Sequence, residues 1–133
     1  MARIVIAAAL GLAVAAAPVS AQPQHGSGNR PVMLKADDGL DPCSLGEITG
    51  AGDGAIMVFP GDSTDLEWVD TLSDGDPVWL CDGDKDSDMV GIVYSADREA
   101  DCGVGSPVDK DIRYAGPCQS GWIRAEWVRV IAG

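Results

Sequence analysis

Aspartates occupy alternate positions in one short stretch, CDGDKDSDM, which spans residues 81–89; they are Asp82, Asp84, Asp86 and Asp88. Carboxylates at the first, third and fifth positions of a twelve-residue loop are common calcium ligands. Such a loop also needs a glycine at its sixth position and a glutamate at its twelfth, where this chain has Ser87 and Val93. We therefore predict the exposed tip of a β-hairpin, in which Gly83 takes a positive φ, and keep calcium binding as the alternative.

The other residues that could bind a metal or react are one histidine, His25, and four cysteines: Cys43, Cys81, Cys102 and Cys118. No two cysteines have the close spacing of a structural zinc site, so the sequence predicts no metal centre. In an exported chain thiols are oxidised in pairs, and we expect two disulfides. Three connectivities are possible. Cys102 and Cys118 would close the shortest ring, which favours Cys102–Cys118 together with Cys43–Cys81.

Catalysis has little support in the sequence. His25 precedes the predicted domain, the cysteines are expected in disulfides, and Ser63 and Ser120 fall in turns without a predicted base nearby. A glycosidase would need one carboxylic acid kept protonated in an apolar pocket, whereas the acids here lie in polar turns. We predict that the protein is not an enzyme and uses no cofactor.

The first 21 residues have the pattern of an export signal. Arg3 is followed by an apolar run over residues 4–17, and small residues precede Ala21. The run has 14 residues, fewer than the roughly 20 that a membrane-spanning helix needs. We expect cleavage after Ala21, a periplasmic or secreted location, and no membrane insertion of the mature chain.

The chain is strongly acidic, with a formal net charge of −12. Removal of the signal takes away Arg3 and no acid, which makes the net charge −13. Nucleic acid is therefore excluded as a partner, because its phosphates would be repelled. An acidic surface favours cationic partners or divalent ions. Residues 62–88 contain ten of the acids, and Lys85 is the only cation among them.

Hydrophobic residues after residue 42 come in short segments separated by Gly, Pro and Asp. These segments are 55–59, 66–72, 77–81, 89–94 and 121–131. They are too short for helices and rich in β-formers, so we predict an all-β domain over residues 43–133, with about five strands closed into a small barrel. A short 3-10 turn is expected at 124–127, and residues 22–42 are predicted to be a flexible leader. We expect a monomer.

The spacing of small and apolar residues at both ends of this domain follows a known pattern. The first group of matching residues is Val58, Gly61, Ser63, Val69, Leu72, Gly75, Val78 and Leu80, and the second is Gly121, Trp122, Ile123, Trp127, Val128, Val130 and Ile131. With these residues the chain resembles the bacterial SH3-like (SH3b) domains of exported proteins. Residues 96–119, which contain Cys102 and Cys118, are an insertion relative to that family.

The resemblance implies an SH3-like barrel that binds a partner. In the family, Val69 and Leu72 would point inward, so Trp68 should face outward. Val78 and Leu80 would also point inward, which places Trp79 and Cys81 on the opposite face of their strand. Related domains are often attached to cell-wall enzymes, where they hold peptidoglycan or peptides.

Aromatic residues are the candidate ligand contacts. We predict an aromatic groove formed by Trp68, Tyr94 and Trp122, with Tyr114 as a further contributor. Trp79 and Trp127 are expected to be covered by other parts of the chain.

Two functions fit these observations. The first is an exported, non-enzymatic module that recognises a peptide, a glycan-peptide or a protein of the cell envelope. The second is a secreted acidic inhibitor or structural protein that acts through the Asp-rich face at 62–88, with or without calcium. Ionic strength separates them, because binding through the acidic face should weaken steeply with added salt.

Overall fold

The computed structural model describes residues 28–83, 88–97 and 101–133. In these ranges the protein is all-β, with nine strands and one 3-10 turn at Ala125–Trp127. The strands are β1 (Met33–Leu34), β2 (Ser44–Ile48), β3 (Ile56–Val58), β4 (Asp70–Leu72), β5 (Pro77–Asp82), β6 (Met89–Tyr94), β7 (Ile112–Arg113), β8 (Gln119–Arg124) and β9 (Val128–Ala132). The predicted fold class and the position of the 3-10 turn are confirmed.

Five strands form one antiparallel sheet in the order β8-β6-β5-β2-β9, while β3 pairs with β4 and β1 with β7. The end of β3 reaches β8 through a bridge between Phe59 and Trp122. Gly121 makes this approach possible, because a Cβ there would lie 2.4 Å from the Val58 side chain. Within the described ranges, strand pairing does not close the sheet into the expected barrel.

Both faces of the sheet are buried at its central strands β5 and β6, and successive side chains go to opposite faces. On β5, Val78 and Leu80 pack on one face, while Trp79 and Cys81 pack on the other. This division is the one predicted for β5.

The first face packs against β3 and β4, and we call its core the hairpin cluster. Its buried residues are Ile48, Ile56, Val58, Leu72, Val78, Ile92, Tyr94 and Ile123. Leu72 points inward as predicted. The prediction for Val69 is wrong: it precedes β4 and is 59% exposed.

The second face packs against irregular chain, and we call its core the leader cluster. Its buried residues are Val32, Leu34, Cys43, Phe59, Cys81, Met89, Val93, Cys102, Val104, Tyr114 and Trp122. Two segments cover this face: one that contains β1, and the inserted segment that contains β7. Of the predicted flexible leader at 22–42, residues 22–27 lie outside the described residues, as does the predicted signal at 1–21. In residues 28–42, Val32 and Leu34 are buried and β1 pairs with β7.

No helix in the described part of the chain is long and apolar enough to cross a membrane.

Candidate functional site

The four cysteines form the two disulfides that the sequence favours. Cys43 is bonded to Cys81, and Cys102 to Cys118. The first bond ties the start of β2 to β5, and the second closes the inserted segment. Both lie in or beside the leader cluster, where regular strand pairing is sparse.

The described aspartates of the stretch at 81–89 do not form a metal site. Asp82 is buried, and its carboxylate accepts hydrogen bonds from the backbone N–H of Met33 at 2.9 Å and of Gly83 at 2.7 Å. The Lys35 ammonium lies 3.8 Å from it. Asp82 thus joins the β1 segment to the end of β5. Gly83 has the predicted positive φ of 114°.

Asp84 and Asp86 lie outside the described residues, and calcium binding by these two carboxylates stays a prediction from the sequence. Within the described ranges, no group of three or more His, Cys, Asp or Glu side chains could hold a metal ion.

Trp122 is fully buried in the leader cluster, so it is not an exposed ligand contact. Its indole N–H donates a hydrogen bond of 2.8 Å to the backbone carbonyl of Arg30. The Arg30 guanidinium lies 4.9 Å from the ring centroid, a cation–π distance. The segment predicted to be flexible therefore covers this tryptophan.

Tyr94 is also buried, but on the other face of the sheet, in the hairpin cluster. Its hydroxyl donates a 2.8 Å hydrogen bond to Asp70. Burial, and then the hydrogen bond and charge of Asp70, raise the pKa of Tyr94 well above its usual value. These contacts stabilise a neutral phenol and give Tyr94 a structural role.

Tyr114 organises the inserted segment. Its hydroxyl donates to the backbone carbonyl of Cys102 at 2.8 Å and accepts from the N–H of Cys118 at 3.1 Å. The predicted groove of Trp68, Tyr94 and Trp122 is therefore not assembled, because Tyr94 and Trp122 are buried on opposite faces of the sheet. Alternation along a strand could not predict that Tyr94 and Trp122 lie on opposite faces, because it does not relate residues on different strands.

Trp68 is the predicted ligand residue that reaches the surface, with 57% of its area exposed. Met57 and Val69 are exposed by 47% and 59% beside the same hairpin. Met57 points outward because its neighbours on β3 point into the hairpin cluster. Val69 donates its N–H to Val58, which places it diagonally across from Met57. Trp68 directly precedes Val69 in the chain, and we call these three exposed residues, Met57, Trp68 and Val69, the hairpin patch.

The loop before Trp68 is acidic and exposed. It carries Asp62, Asp65 and Glu67. Asp62 is paired with Arg30 at 2.7 Å. In the described part of the chain, no basic side chain forms a salt bridge with Asp65 or Glu67. The patch therefore combines apolar surface with negative charge.

A shallow cavity of about 250 Å³ lies near this loop, lined by Asp62, Ser63, Thr64, Asp88, Met89 and Arg124. Arg124 forms a salt bridge with Glu126 at 2.7 Å on the surface. The cavity is open and largely polar, and no sequence pattern marks it.

The chain matches no protein-family model, and no curated protein or solved structure matches it significantly. The resemblance to SH3b domains therefore remains a prediction from the sequence.

Proposed function

We propose that the protein is an exported, non-enzymatic binding module of SH3-like type, which holds a basic and partly apolar segment of a peptide or envelope protein on the hairpin patch. The observation that carries the proposal is the exposure of Met57, Trp68 and Val69 next to the acidic loop. Ile56 and Val58 of the same hairpin are buried in the hairpin cluster, whereas these three side chains are not part of it. Exposed tryptophan in such a setting is typical of a residue that dominates an interface.

Charge favours a cationic partner. Asp65 and Glu67 shortly precede Trp68 in the chain, and the exposed indole can accept a lysine or arginine side chain from outside. Apolar side chains of the same segment would cover Met57 and Val69. A partner of this kind uses both surface properties at once.

The compartment follows the same proposal. Two disulfides in a small domain are compatible with an oxidising, extracellular environment. We place the mature protein, after cleavage at Ala21, in the periplasm or outside the cell as a monomer.

The acidic inhibitor or structural protein is the second candidate. The exposed acids Asp62, Asp65 and Glu67 favour it, because they lie within the face at 62–88. In that case the partner would contact carboxylates without needing Trp68.

Calorimetric titration tests the proposal with three probes: a lysine- and proline-rich decapeptide, the same peptide with glutamate in place of lysine, and a disaccharide-tetrapeptide of peptidoglycan. We expect the lysine peptide to bind and the glutamate peptide to fail. Trp68→Ala should weaken binding at least tenfold, as for an aromatic residue at the centre of an interface. Binding that survives Trp68→Ala but disappears in high salt would favour the acidic candidate instead.

Val130→Ala is the matched control, because Val130 is 59% exposed on β9, away from the hairpin. It should leave the titration unchanged. Flat curves for all three probes, or equal losses in Trp68→Ala and Val130→Ala, would count against the hairpin patch.

A further inference from the structure

Residues 28–30 lie over Trp122, are exposed, and are held mainly through Arg30. The backbone carbonyl of Arg30 accepts from the Trp122 indole, and its N–H donates to the Pro60 carbonyl at 2.9 Å. Its guanidinium pairs with Asp62 at 2.7 Å and lies over the Trp122 ring. Gly28 completes the contact, because it packs against Leu66. Pro60, Asp62, Leu66 and Trp122 form what we call the Trp122 groove.

These contacts do not require this particular segment. The two hydrogen bonds use the backbone of the bound chain, and any extended segment can offer the same groups. Only the guanidinium depends on a side chain, because Asp62 and the indole face select a cation. The groove therefore fits an extended segment with one arginine.

The attachment of the segment changes sharply at Pro31. From Val32 onward the chain is fixed: Val32 is buried, its carbonyl accepts from Tyr114, and Met33 donates to Asp82. Before Pro31, the Arg30–Asp62 salt bridge is exposed on both sides, and exposed salt bridges contribute little stability. Residues 28–30 are therefore held without burial of their own side chains, unlike Val32 and Leu34 of the β1 segment.

We propose that the Trp122 groove is a second binding surface, for an arginine-containing extended segment of another protein, and that residues 28–30 occupy it until that segment displaces them. The indole N–H, the Pro60 carbonyl and Asp62 would then make the same contacts with the incoming chain. This proposal concerns a different surface from the hairpin patch and does not depend on it.

Hydrogen exchange of the intact, oxidised protein tests directly whether residues 28–30 detach from the groove. Two N–H groups of Trp122 are compared, and one serves as the control for the other. The Trp122 indole N–H bonds to Arg30, whereas its backbone N–H bonds to the carbonyl of Phe59 at 2.8 Å in the bridge between the end of β3 and β8. If residues 28–30 detach locally, the indole N–H should exchange at least tenfold faster than the backbone N–H, after correction for their intrinsic rates. Equal protection of the two groups would mean that the segment leaves only on global unfolding, and would overturn the proposal.

Competition between an added peptide and residues 28–30 tests binding to the Trp122 groove. The probe is a capped peptide with the sequence of residues 28–33, Gly-Asn-Arg-Pro-Val-Met, added to the full chain. Arg30→Ala weakens the attached segment, so the peptide should bind this variant about tenfold more tightly than the wild type. Arg129→Ala, which removes an exposed arginine paired with Glu47 on another edge, should bind as the wild type does.

The same peptide with alanine in place of arginine should bind at least tenfold more weakly, and Asp62→Asn in the protein should abolish the difference between the two peptides. Trp68→Ala should leave all of these results unchanged, which separates this groove from the hairpin patch. The proposal is overturned if the peptide binds Arg30→Ala no more tightly than it binds the wild type. So does a concentration-dependent dimer of Arg30→Ala, which would make a second copy of the chain the occupant.

Discussion

The two faces of the five-stranded sheet are covered in different ways. The hairpin cluster lies beneath β3 and β4, which are paired strands close to each other in sequence. The leader cluster lies beneath the β1 segment and the insertion, which are joined in their described residues by the two-residue pairing of β1 with β7. Both disulfides are found on this second side.

This difference shows how a small domain can bury both faces of one sheet. A hairpin satisfies its own backbone hydrogen bonds and needs only apolar packing to cover a face. Irregular chain has fewer such bonds, so covalent links and side-chain hydrogen bonds take their place. The hydroxyl of Tyr114 and the carboxylate of Asp82 have this function here.

The largest effect is expected from the two fully buried neighbours on β8, Trp122 and Ile123, which belong to opposite clusters. Trp122→Ala and Ile123→Ala should each lower the free energy of unfolding by about 3–5 kcal/mol, because each leaves a cavity in its own cluster. Urea unfolding of the oxidised protein measures both.

A double-mutant cycle sharpens this result. Removal of the Cys102–Cys118 bond by alanine at both positions should be less than additive with Trp122→Ala, because both changes loosen the leader cluster. With Ile123→Ala it should be additive. Equal coupling to both variants would contradict the separation of the two clusters.

The disulfides should differ in what they contribute. The Cys43–Cys81 bond joins residues 38 apart and the Cys102–Cys118 bond residues 16 apart. Loss of chain entropy in the unfolded state predicts about 4 kcal/mol for the first and about 3 kcal/mol for the second. Urea unfolding of the two double-alanine variants gives these values.

Hydrogen exchange on the Cys43→Ala/Cys81→Ala variant shows where the stability is lost. Amides of β3 and β4, which cover the hairpin cluster, should stay protected, and those of the β1 segment, such as the N–H of Met33, should exchange faster. Simultaneous loss of protection on both faces would mean that the clusters form one cooperative unit.

A smaller effect is expected from Tyr94→Phe in the hairpin cluster. Loss of the hydrogen bond to Asp70 should lower the free energy of unfolding by about 1 kcal/mol at neutral pH. The folded state also raises the pKa of Tyr94, mainly through burial, so the neutral phenol stabilises the fold. This contribution of the neutral phenol to the free energy of unfolding is complete below pH about 10. It is lost as the pH rises from there toward the pKa of Tyr94 in the folded protein.

Base titration checks the direction of this pH dependence. The free energy of unfolding of the wild type should fall more steeply above pH 10 than that of Tyr94→Phe. Ultraviolet absorbance of the phenolate reports ionisation directly. Ionisation of Tyr94 near its usual pKa in the folded protein would contradict the assigned environment.

The smallest effect on stability is expected at the hairpin patch. Trp68→Ala and Val69→Thr should change the free energy of unfolding by no more than about 0.5 kcal/mol, because both side chains are mostly exposed. Thermal unfolding of Trp68→Ala and Trp122→Ala, measured side by side, compares the stability lost at an exposed and at a buried tryptophan of the same chain. A loss above about 2 kcal/mol in Trp68→Ala would show that Trp68 belongs to a core, since losses of that size come from buried side chains.

Much of the fold could be predicted because it depends on local patterns. Alternation on β5 assigned Val78 and Leu80 to one face and Trp79 and Cys81 to the other. The short ring between Cys102 and Cys118 favoured the pairing that is observed. Gly83 marked the end of β5 through its positive φ.

The candidate site was harder to predict. Trp68 was correctly placed on the surface, but Val69 points outward and both Tyr94 and Trp122 are buried. The apolar residues Val32 and Leu34 were the one signal that the leader belongs to the core, and their surrounding Gly, Pro and Asp residues masked it.

By itself, the sequence determined the all-β class and the two-sided burial of β5, because strand periodicity and turn residues act over a few neighbours. Only the tertiary structure decided what covers each face. Trp122 donates its indole hydrogen bond to Arg30, 92 residues away along the chain, and no local pattern encodes such a contact. Burial of an aromatic residue depends on which distant segment returns to it, and that choice is made by the packing of the whole molecule.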